Sequence, residues 1–238
     1  MEFPKTSHFD TELVRSKIMG PNTLKLCEEL MGNADISAGS VVLDLGSGCG
    51  ISSAMLAREY GFVTYAVDLW SNPTENMRFL ESVGLTNREA IPVKADATAL
   101  PFAHGFFDAV VSVDSYNYFG RDPKFLGDCL LPFIKDGGML YLAIPGMVRD
   151  CHGSLPACLL KSWTPEQLDY MHDMAWWRRI FEQESDVEIV DMHEMECTEE
   201  AWADWIACDN EYALGDRAAI EAGALKYLNT IAVVLRKA

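Results

Sequence analysis

The sequence predicts an α/β protein built on a doubly wound, mostly parallel sheet, with helical insertions late in the chain. Short runs rich in β-branched residues alternate with helix-length segments five times between residues 22 and 144. That alternation is typical of a parallel sheet with helices on both faces. A glycine-rich turn, Gly46-Ser47-Gly48-Cys49-Gly50, follows the first run and predicts a tight strand-to-helix connection.

The core elements follow in order along the chain. The predicted strands cover residues 41–45, 62–68, 90–94, 107–113 and 139–144. The predicted helices cover residues 22–32, 51–60, 74–83 and 123–135. Asn22 is a favourable N-cap for the first helix, and Gly32 is a typical end for it. Pro123 suits the first turn of the last of these helices.

The pattern changes after Pro145. Residues 146–181 contain aromatic helical segments without a clear strand, and residues 198–227 are again helical in pattern. Two further strands are predicted at 187–192 and 229–236. We expect one domain over 1–238. Because ligands of such sheets sit outside the carboxyl ends of the strands, we expect residues 1–21, 146–181 and 194–228 to form a lid and cap there.

Charge and composition exclude several classes of partner. The formal net charge is −17, and residues 182–216 hold 13 acidic residues and no lysine or arginine. Nucleic acids and anionic membranes bind through basic residues, so neither is an expected partner. Apolar runs stay below the roughly 18 residues of a membrane span, and the chain begins without a signal-peptide pattern. These features predict a cytoplasmic protein, and they leave its oligomeric state open.

The seven cysteines are irregularly spaced and include no Cys-x-x-Cys pair. A disulfide framework or a structural metal site is therefore not expected. Buried, reduced thiols are the ordinary state of such cysteines.

The glycine-rich turn narrows the choice of ligand. Its Gly-x-Gly-x-Gly spacing differs from the dinucleotide fingerprint, and no Gly-Lys-Ser/Thr follows for a nucleoside triphosphate. Asp44 lies two residues before the first glycine. A carboxylate there would repel a pyrophosphate but suits the ammonium group of a methionine moiety.

Two more acids follow later strands of the predicted sheet. Asp68 ends the second strand, where a carboxylate can accept hydrogen bonds from two ribose hydroxyls. Leu69 and Trp70 follow it and could pack on an adenine ring. Asp96 follows the third strand and could accept from an adenine amino group. Any one of these acids could instead be an ordinary turn residue, so the prediction rests on the set.

The ordered motifs resemble the class I S-adenosylmethionine (SAM) dependent methyltransferases. Their small-molecule group, which includes the menaquinone and ubiquinone biosynthesis type (methyltransferase type 11-like), is the most similar. The resemblance covers residues 40–145 and rests on the motifs VLDLGSGCG, AVDL, ADATALPF and FDAVVS and on the Gly137-Gly138 pair. It implies a seven-stranded, Rossmann-like sheet whose last strand, here 229–236, is antiparallel.

The resemblance also implies roles by position. Asp44, Gly46, Gly48 and Gly50 match the loop around the methionine part of SAM. Asp68 matches the ribose acid, and Leu69 matches the residue that flanks the adenine. Asp96 and Ala97 match the pair at the adenine, and Asp114 matches the strand end beside the transferring methyl group.

A small-molecule methyl acceptor is the expected second substrate. The segment Asp114-Ser115-Tyr116-Asn117-Tyr118 lacks the Pro-Pro of nucleic-acid amino-methyltransferases. Tyr116, beside the predicted methyl site, and His152, seven residues beyond the fifth strand, are the candidate bases; His8 and His172 are weaker ones. Five tryptophans in the second half either build a core between helices or line a pocket, which would suit a cationic amine.

Two other functions remain open on sequence alone. The chain could be a non-catalytic SAM-binding protein that uses its acidic flank for docking. A nicotinamide-dependent oxidoreductase is less consistent with Asp44 and the glycine spacing. Catalytic turnover distinguishes a methyltransferase from a non-catalytic SAM-binding protein. Comparing the affinities for SAM and NAD distinguishes a methyltransferase from an oxidoreductase.

Overall fold

A single sheet forms the centre of the protein, which a computed structural model describes over residues 2–238. The strands in this range are β1 Val41–Leu45, β2 Val63–Asp68, β3 Ala90–Lys94, β4 Phe107–Val113, β5 Ile134–Met147, β6 His172–Asp173, β7 Val187–Glu194 and β8 Leu228–Lys237. They follow the order β3-β2-β1-β4-β5-β8-β7, and the short β6 pairs with β5 off this path. The pairs among β1 to β6 are parallel, whereas β8 is antiparallel to both of its neighbours.

The α-helices of the described chain are α1 Thr11–Lys17, α2 Thr23–Leu30, α3 Ile51–Tyr60, α4 Pro73–Ser82, α5 Tyr116–Phe119, α6 Pro165–Leu168, α7 Met174–Phe181, α8 Thr198–Ile206 and α9 Glu211–Glu221. Asn22 caps α2 as predicted, because its side chain accepts from the backbone N–H groups of Leu24 and Lys25. Within residues 2–238, every helix is too short or too polar to cross a membrane.

The predicted fold class is confirmed. Strands β1, β3 and β4 and helix α3 have the predicted bounds. The last strand, β8, is antiparallel between β5 and β7, as the resemblance implied. Strand β5 is longer at both ends than the predicted 139–144: β8 pairs with it as far as Met147, and Ile134 at its start pairs with Phe107 of β4.

The helix predicted at residues 123–135 is wrong. A π-helical turn at Leu126–Leu130 and a 3-10 turn at Leu131–Phe133 stand in its place, and β5 already begins at Ile134. Pro132 supplies the physical reason. Within a helix its ring would clash with the carbonyl four residues earlier, and it lacks the N–H that an α-helical turn needs.

Helices cover both faces of the sheet, and the hydrophobic core accordingly has two main parts. On one face, α2, α3 and Trp205 of α8 pack against Val42 of β1. On the other face, Trp177 and Phe181 of α7 pack near Leu43 of the same strand. Successive residues of a strand point to opposite faces, so both sides of the sheet are buried. The carboxyl ends of the strands are left to bind a ligand.

Trp177 lies at the centre of the part of the hydrophobic core that α7 covers. Its side chain is fully buried and contacts the rings of Tyr116, Trp176 and Phe181 at centroid distances of 5.9, 5.0 and 6.0 Å. We expect Trp177→Ala to lower the free energy of unfolding by about 3–5 kcal/mol, the usual effect of removing a large buried ring. Urea denaturation measures it. The matched control is Trp70→Ala, because Trp70 is 76% exposed; a similar loss in both variants would contradict the assignment.

Candidate active site

The glycine-rich turn between β1 and α3 adopts a backbone shape that glycine tolerates best. The φ angles of Gly46 and Gly48 are +79° and +52°, in the left-handed region. A Cβ on Gly46 would collide with the side chain of Ser115, whose hydroxyl donates to the Leu45 carbonyl at 2.9 Å. A Cβ on Gly48 would meet nothing within 4 Å, and Gly48 borders a large cavity. The turn therefore offers bare backbone to a ligand.

Asp44 lies beneath this turn and off the cavity wall. Its carboxylate is 1% exposed, and Oδ2 accepts from the hydroxyls of Ser52 and Ser53 in the first turn of α3. Burial raises the pKa of Asp44 to about 6, and the serine hydrogen bonds oppose that rise. Oδ1 has no hydrogen-bond partner among residues 2–238. Asp44 thus holds the start of α3 and keeps one buried oxygen open to a donor.

Asp68, at the end of β2, joins two loops of the site. The Gly48 N–H donates to its Oδ2 at 3.0 Å. The N–H groups of Trp70 and Ser71 donate to its Oδ1 at 2.8 and 2.7 Å. The glycine-rich turn and the turn after β2 therefore hold this carboxylate in one orientation on the cavity wall.

Asp96 and Ala97 follow β3 on the same wall, which also includes the exposed Leu69. The backbone N–H and the hydroxyl of Thr98 both donate to Asp96 Oδ1, at 2.8 and 2.7 Å. Those hydrogen bonds lower the pKa of Asp96, because they favour its charged form. Asp96 is therefore ionised at neutral pH and can accept from a ligand through its other oxygen.

Asp114 ends β4 in an uncommon conformation. It has a φ of +58°, the one positive φ at a non-glycine residue in the described chain. Its carboxylate packs so closely on Gly20 that a Cβ there would overlap it. Burial, followed by the charge of Asp216 in α9, raises the pKa of Asp114 to about 7. Burial also raises the pKa of Asp216. Two carboxyl groups of raised pKa thus share one wall.

These groups surround a cavity of about 990 Å³ at the carboxyl ends of the strands. Of the predicted site residues, its wall includes Gly46, Gly48, Asp68, Leu69, Asp96, Ala97 and Asp114, and it leaves out Asp44, Gly50, Tyr116 and His152. Among the wall residues within 2–238, Lys17 is the only lysine or arginine. The acidic ones are Asp68, Asp96, Asp114, Glu211 and Asp216. The cavity therefore favours a cationic ligand.

Aromatic rings from the second half complete the wall. They belong to Trp163, Tyr170, Trp205 and Tyr212. The indole N–H of Trp205 donates to Asp216 Oδ2 at 2.9 Å, which ties an aromatic face to a carboxylate. The two sequence interpretations of the tryptophans both apply, because Trp205 is 1% exposed and belongs to the core as well as to the wall.

The structure puts neither candidate base on this wall. Tyr116 is fully buried among Phe119, Phe125, Trp177 and Phe181, and burial raises its pKa. Helix α5 turns the Tyr116 ring into the core and leaves Ser115, Asn117 and Tyr118 to face the cavity. His152 is bonded to Asp150 and to the Leu168 carbonyl instead. Neither side chain is in position to take a proton from a molecule in the cavity.

Sequence reasoning missed Lys17, Tyr170, Glu211 and Asp216 as wall residues. They lie in the lid and cap regions, where no local motif distinguishes them. The acidic run at 182–216 and the tryptophans were the available signals, and neither could single out Asp216.

Comparison with known proteins agrees with this geometry. Residues 43–142 match the family model described as a methyltransferase domain. The chain is 31% identical over 120 residues to the methyltransferase GfsG of Streptomyces halstedii, which covers 50% of this chain and 42% of that protein. It is 34% identical over 105 residues to the 2-methyl-6-phytyl-1,4-hydroquinone methyltransferase of Synechocystis sp., covering 44% and 32%. The aligned parts thus span less than half of either relative.

A solved structure extends the likeness to nearly the whole fold. The geranyl diphosphate C-methyltransferase of Streptomyces coelicolor A3(2) superposes with a TM-score of 0.70 at 16% identity, covering 90% of this chain and 79% of that one. At 16% identity this similarity establishes a shared fold. Residues 43–142 are thus similar to methyltransferase domains, and the chain shares the fold of that solved methyltransferase.

Proposed function

We propose that this chain transfers a methyl group from SAM to a small-molecule acceptor that binds in the same cavity. One observation carries the proposal: the glycine-rich turn and the strand-end acids line the same cavity as aromatic and acidic residues from the second half of the chain. Single-ligand pockets span roughly 300–1,000 Å³. The volume of about 990 Å³ is at the upper end of this range. The cavity therefore has room for a second small molecule beside a cofactor.

The residues present fit SAM. The open backbone at Gly48 can receive the methionine part, and Lys17 on the same wall can pair with its carboxylate. Asp68 is held in place to accept from a ribose hydroxyl, since its Oδ2 accepts only the Gly48 N–H and keeps a lone pair, whereas its Oδ1 already accepts from two N–H groups. Leu69 and Asp96 border the region for the adenine. Apart from that of Lys17, these assignments follow the predicted roles of the same residues.

SAM supplies a methyl group on a positively charged sulfur, and the sulfur leaves as a neutral thioether. Such a transfer needs mainly an aligned nucleophile and the exclusion of water. The cap side chains Trp163 and Tyr170 and the lid residues Met19 and Gly20 border the cavity and would exclude water there. We accordingly assign residues 1–21, 146–181 and 194–228 as the lid and cap of the site.

We further propose a cationic amine as the acceptor. Asp114, Asp216 and Glu211 supply negative charge on the cap side of the cavity, and Trp163 and Trp205 supply aromatic faces. Aromatic faces and carboxylates together attract an ammonium group. A phosphate-bearing acceptor fits this wall poorly, because Lys17 is its only lysine or arginine within the described residues.

Asp114 is the base that this geometry favours. An ammonium group cannot attack a methyl group until it loses a proton. The Asp114 carboxylate lies on the wall and has a pKa of about 7, close to the value at which a general base is most effective near neutral pH. Asp114 would take the proton, which would leave the nitrogen lone pair free for the methyl group that bound SAM supplies.

Turnover of a compound panel tests the proposal. The purified chain is incubated with SAM and with primary to tertiary amines, hydroquinones or carboxylates, and release of S-adenosylhomocysteine is measured. We expect turnover with amines. Turnover with hydroquinones alone would contradict the amine assignment but support methyl transfer. Binding of SAM without any turnover would favour a non-catalytic SAM-binding protein, and binding of NAD in preference to SAM would overturn the proposal.

A further inference from the structure

A second cluster of chemically active side chains lies outside the cavity wall, at the base of the cap. It consists of Asp150, His152 and His172, and each offers one potential ligand atom within 4.8 Å of the others. Asp150 follows the end of β5, and His172 begins β6. Pairing of β6 with β5, through Gly146 and His172, brings these residues together from 20 positions apart.

The two hydrogen-bond acceptors around His152 call for a positive charge there, supplied by a second proton on the ring or by a bound cation. Its Nδ1 faces Asp150 Oδ1 at 3.1 Å, and its Nε2 faces the Leu168 carbonyl oxygen at 3.1 Å. Both neighbours are acceptors. A neutral imidazole has one N–H to donate, so one nitrogen would direct its lone pair at an oxygen. If Nε2–H donates to Leu168, then Nδ1 and Asp150 Oδ1 direct two lone pairs at the same place.

His172 supplies an independent observation. It is 9% exposed, and its Nδ1 has no hydrogen-bond partner among residues 2–238. Its ring stacks on Trp176 at a centroid distance of 3.7 Å and lies 5.1 Å from the ring of His152. A buried nitrogen without a partner costs free energy. The unpartnered Nδ1 of His172 is therefore a candidate ligand atom for an ion bound beside His152.

We propose that Asp150, His152 and His172 bind one divalent transition-metal ion, with Zn²⁺ as the favoured ion. Two imidazoles and one carboxylate are a ligand set typical of zinc and of neighbouring transition metals, whereas Mg²⁺ and Ca²⁺ prefer oxygen ligands. Zinc bonds of about 2.0–2.1 Å put tetrahedral ligands about 3.3 Å apart. The 3.1 Å between Asp150 Oδ1 and His152 Nδ1 is close to that spacing. Water would complete the coordination.

Neighbouring residues hold His152 and Asp150 by hydrogen bonds of the kind that orient metal ligands in proteins. A metal-bound histidine usually donates its other N–H to a carbonyl or carboxylate, and His152 Nε2 faces the Leu168 carbonyl. The Asp150 backbone N–H donates to Asp173 Oδ2 at 3.1 Å. Asp173 also caps α7 through the Trp176 N–H at 2.9 Å, so α7 fixes the loop that carries Asp150.

The proposed ion would join both ends of residues 150–172. That segment supplies Trp163, Gln167, Tyr170 and Met171 to the cavity wall. The metal would hold this wall in place from outside the cavity and would not contact the reacting groups. The site itself stands independently of the proposed methyl transfer.

Calorimetric titration of the chelator-treated full chain with Zn²⁺ tests the proposal. We expect one saturable equivalent and a higher melting temperature with zinc, because a ligand that binds only the folded state stabilises it. His152→Gln and His172→Gln should each weaken binding at least tenfold. Co²⁺ should give visible absorption bands that both variants lose.

Two control variants separate this site from adventitious binding. His193→Gln removes a histidine that also pairs with an aspartate, at 2.8 Å to Asp191, yet belongs to no such cluster in the described chain. Cys151→Ser removes the adjacent thiol, which donates to Met147 Sδ at 3.5 Å. Both should bind zinc like the parent protein. If His172→Gln fails to fold by circular dichroism, the more accessible His152→Gln decides. No saturable Zn²⁺ binding, or equal binding in all variants, would overturn the proposal.

Discussion

Replacing Asp68 with alanine is expected to raise the Kd for SAM by about 10-fold or more. In the proposed complex the free lone pair of Asp68 Oδ2 accepts from a ribose hydroxyl, and a hydrogen bond to a charged group contributes about 1.5–3 kcal/mol. Its loss corresponds to at least one order of magnitude in affinity. The change also frees the Gly48 N–H that now donates to this carboxylate, which adds to the loss. Calorimetric titration with S-adenosylhomocysteine or SAM measures it.

Asp108→Asn is the matched control for Asp68. Asp108 is also a strand-associated acid that accepts from a backbone N–H, that of Val41, but it lies at the opposite end of the sheet and pairs with Lys135. Its variant should bind SAM with unchanged affinity. Equal affinities for the Asp68→Ala and parent proteins would rule out the ribose contact and with it the assigned orientation of the cofactor.

Asp114→Asn is expected to lower kcat for an amine acceptor by about 100-fold to 10,000-fold, the usual contribution of a general base. In the parent protein, kcat/KM should rise with pH through about 7, because kcat/KM reports groups of the free enzyme. Burial and the charge of Asp216 raise the pKa of Asp114 to about 7, so below that pH the carboxyl group is protonated and cannot accept a proton. The variant should lack this rise, because an amide does not titrate there.

Asp216→Asn provides a second, directional test of the same assignment. Asp216 raises the pKa of Asp114 through its charge, so its removal should move the midpoint of the kcat/KM profile to lower pH. Glu221→Gln, an exposed change at the end of the same helix, should leave the midpoint in place. A midpoint unchanged by Asp216→Asn, together with normal turnover in Asp114→Asn, would show that another group removes the proton.

Local sequence patterns predicted the first half of the fold well. Strands β1, β3 and β4 are runs of apolar residues bounded by turn residues, and α3 begins directly after the glycine-rich turn. The incorrect helix at 123–135 had a favourable proline at its start, but Pro132 near its end prevents continuous α-helical hydrogen bonding. The signal was present in the sequence, and the first proline outweighed it in the prediction.

Local sequence patterns likewise predicted only some of the residues of the candidate site. Gly46, Gly48, Asp68 and Asp96 follow successive parallel strands, so their meeting at one edge of the sheet follows from topology alone. Tyr116 is predicted from its nearness in sequence to the methyl site, and His152 from its position seven residues beyond the fifth strand. Their side chains turn elsewhere, because a short helix directs the tyrosine into the core and Asp150 and Leu168 hold the histidine.

The sequence by itself therefore determined the sheet, the glycine-rich turn and the part of the cavity expected to hold SAM, because each depends on residues close together in the chain. The remaining wall residues of the cavity are brought together only by the tertiary structure. It brings Asp114 to within electrostatic range of Asp216, about 100 positions away, and it joins Asp150 and His152 to His172 through the pairing of two strands. Contacts between segments so far apart depend on how the cap packs, which no local periodicity encodes.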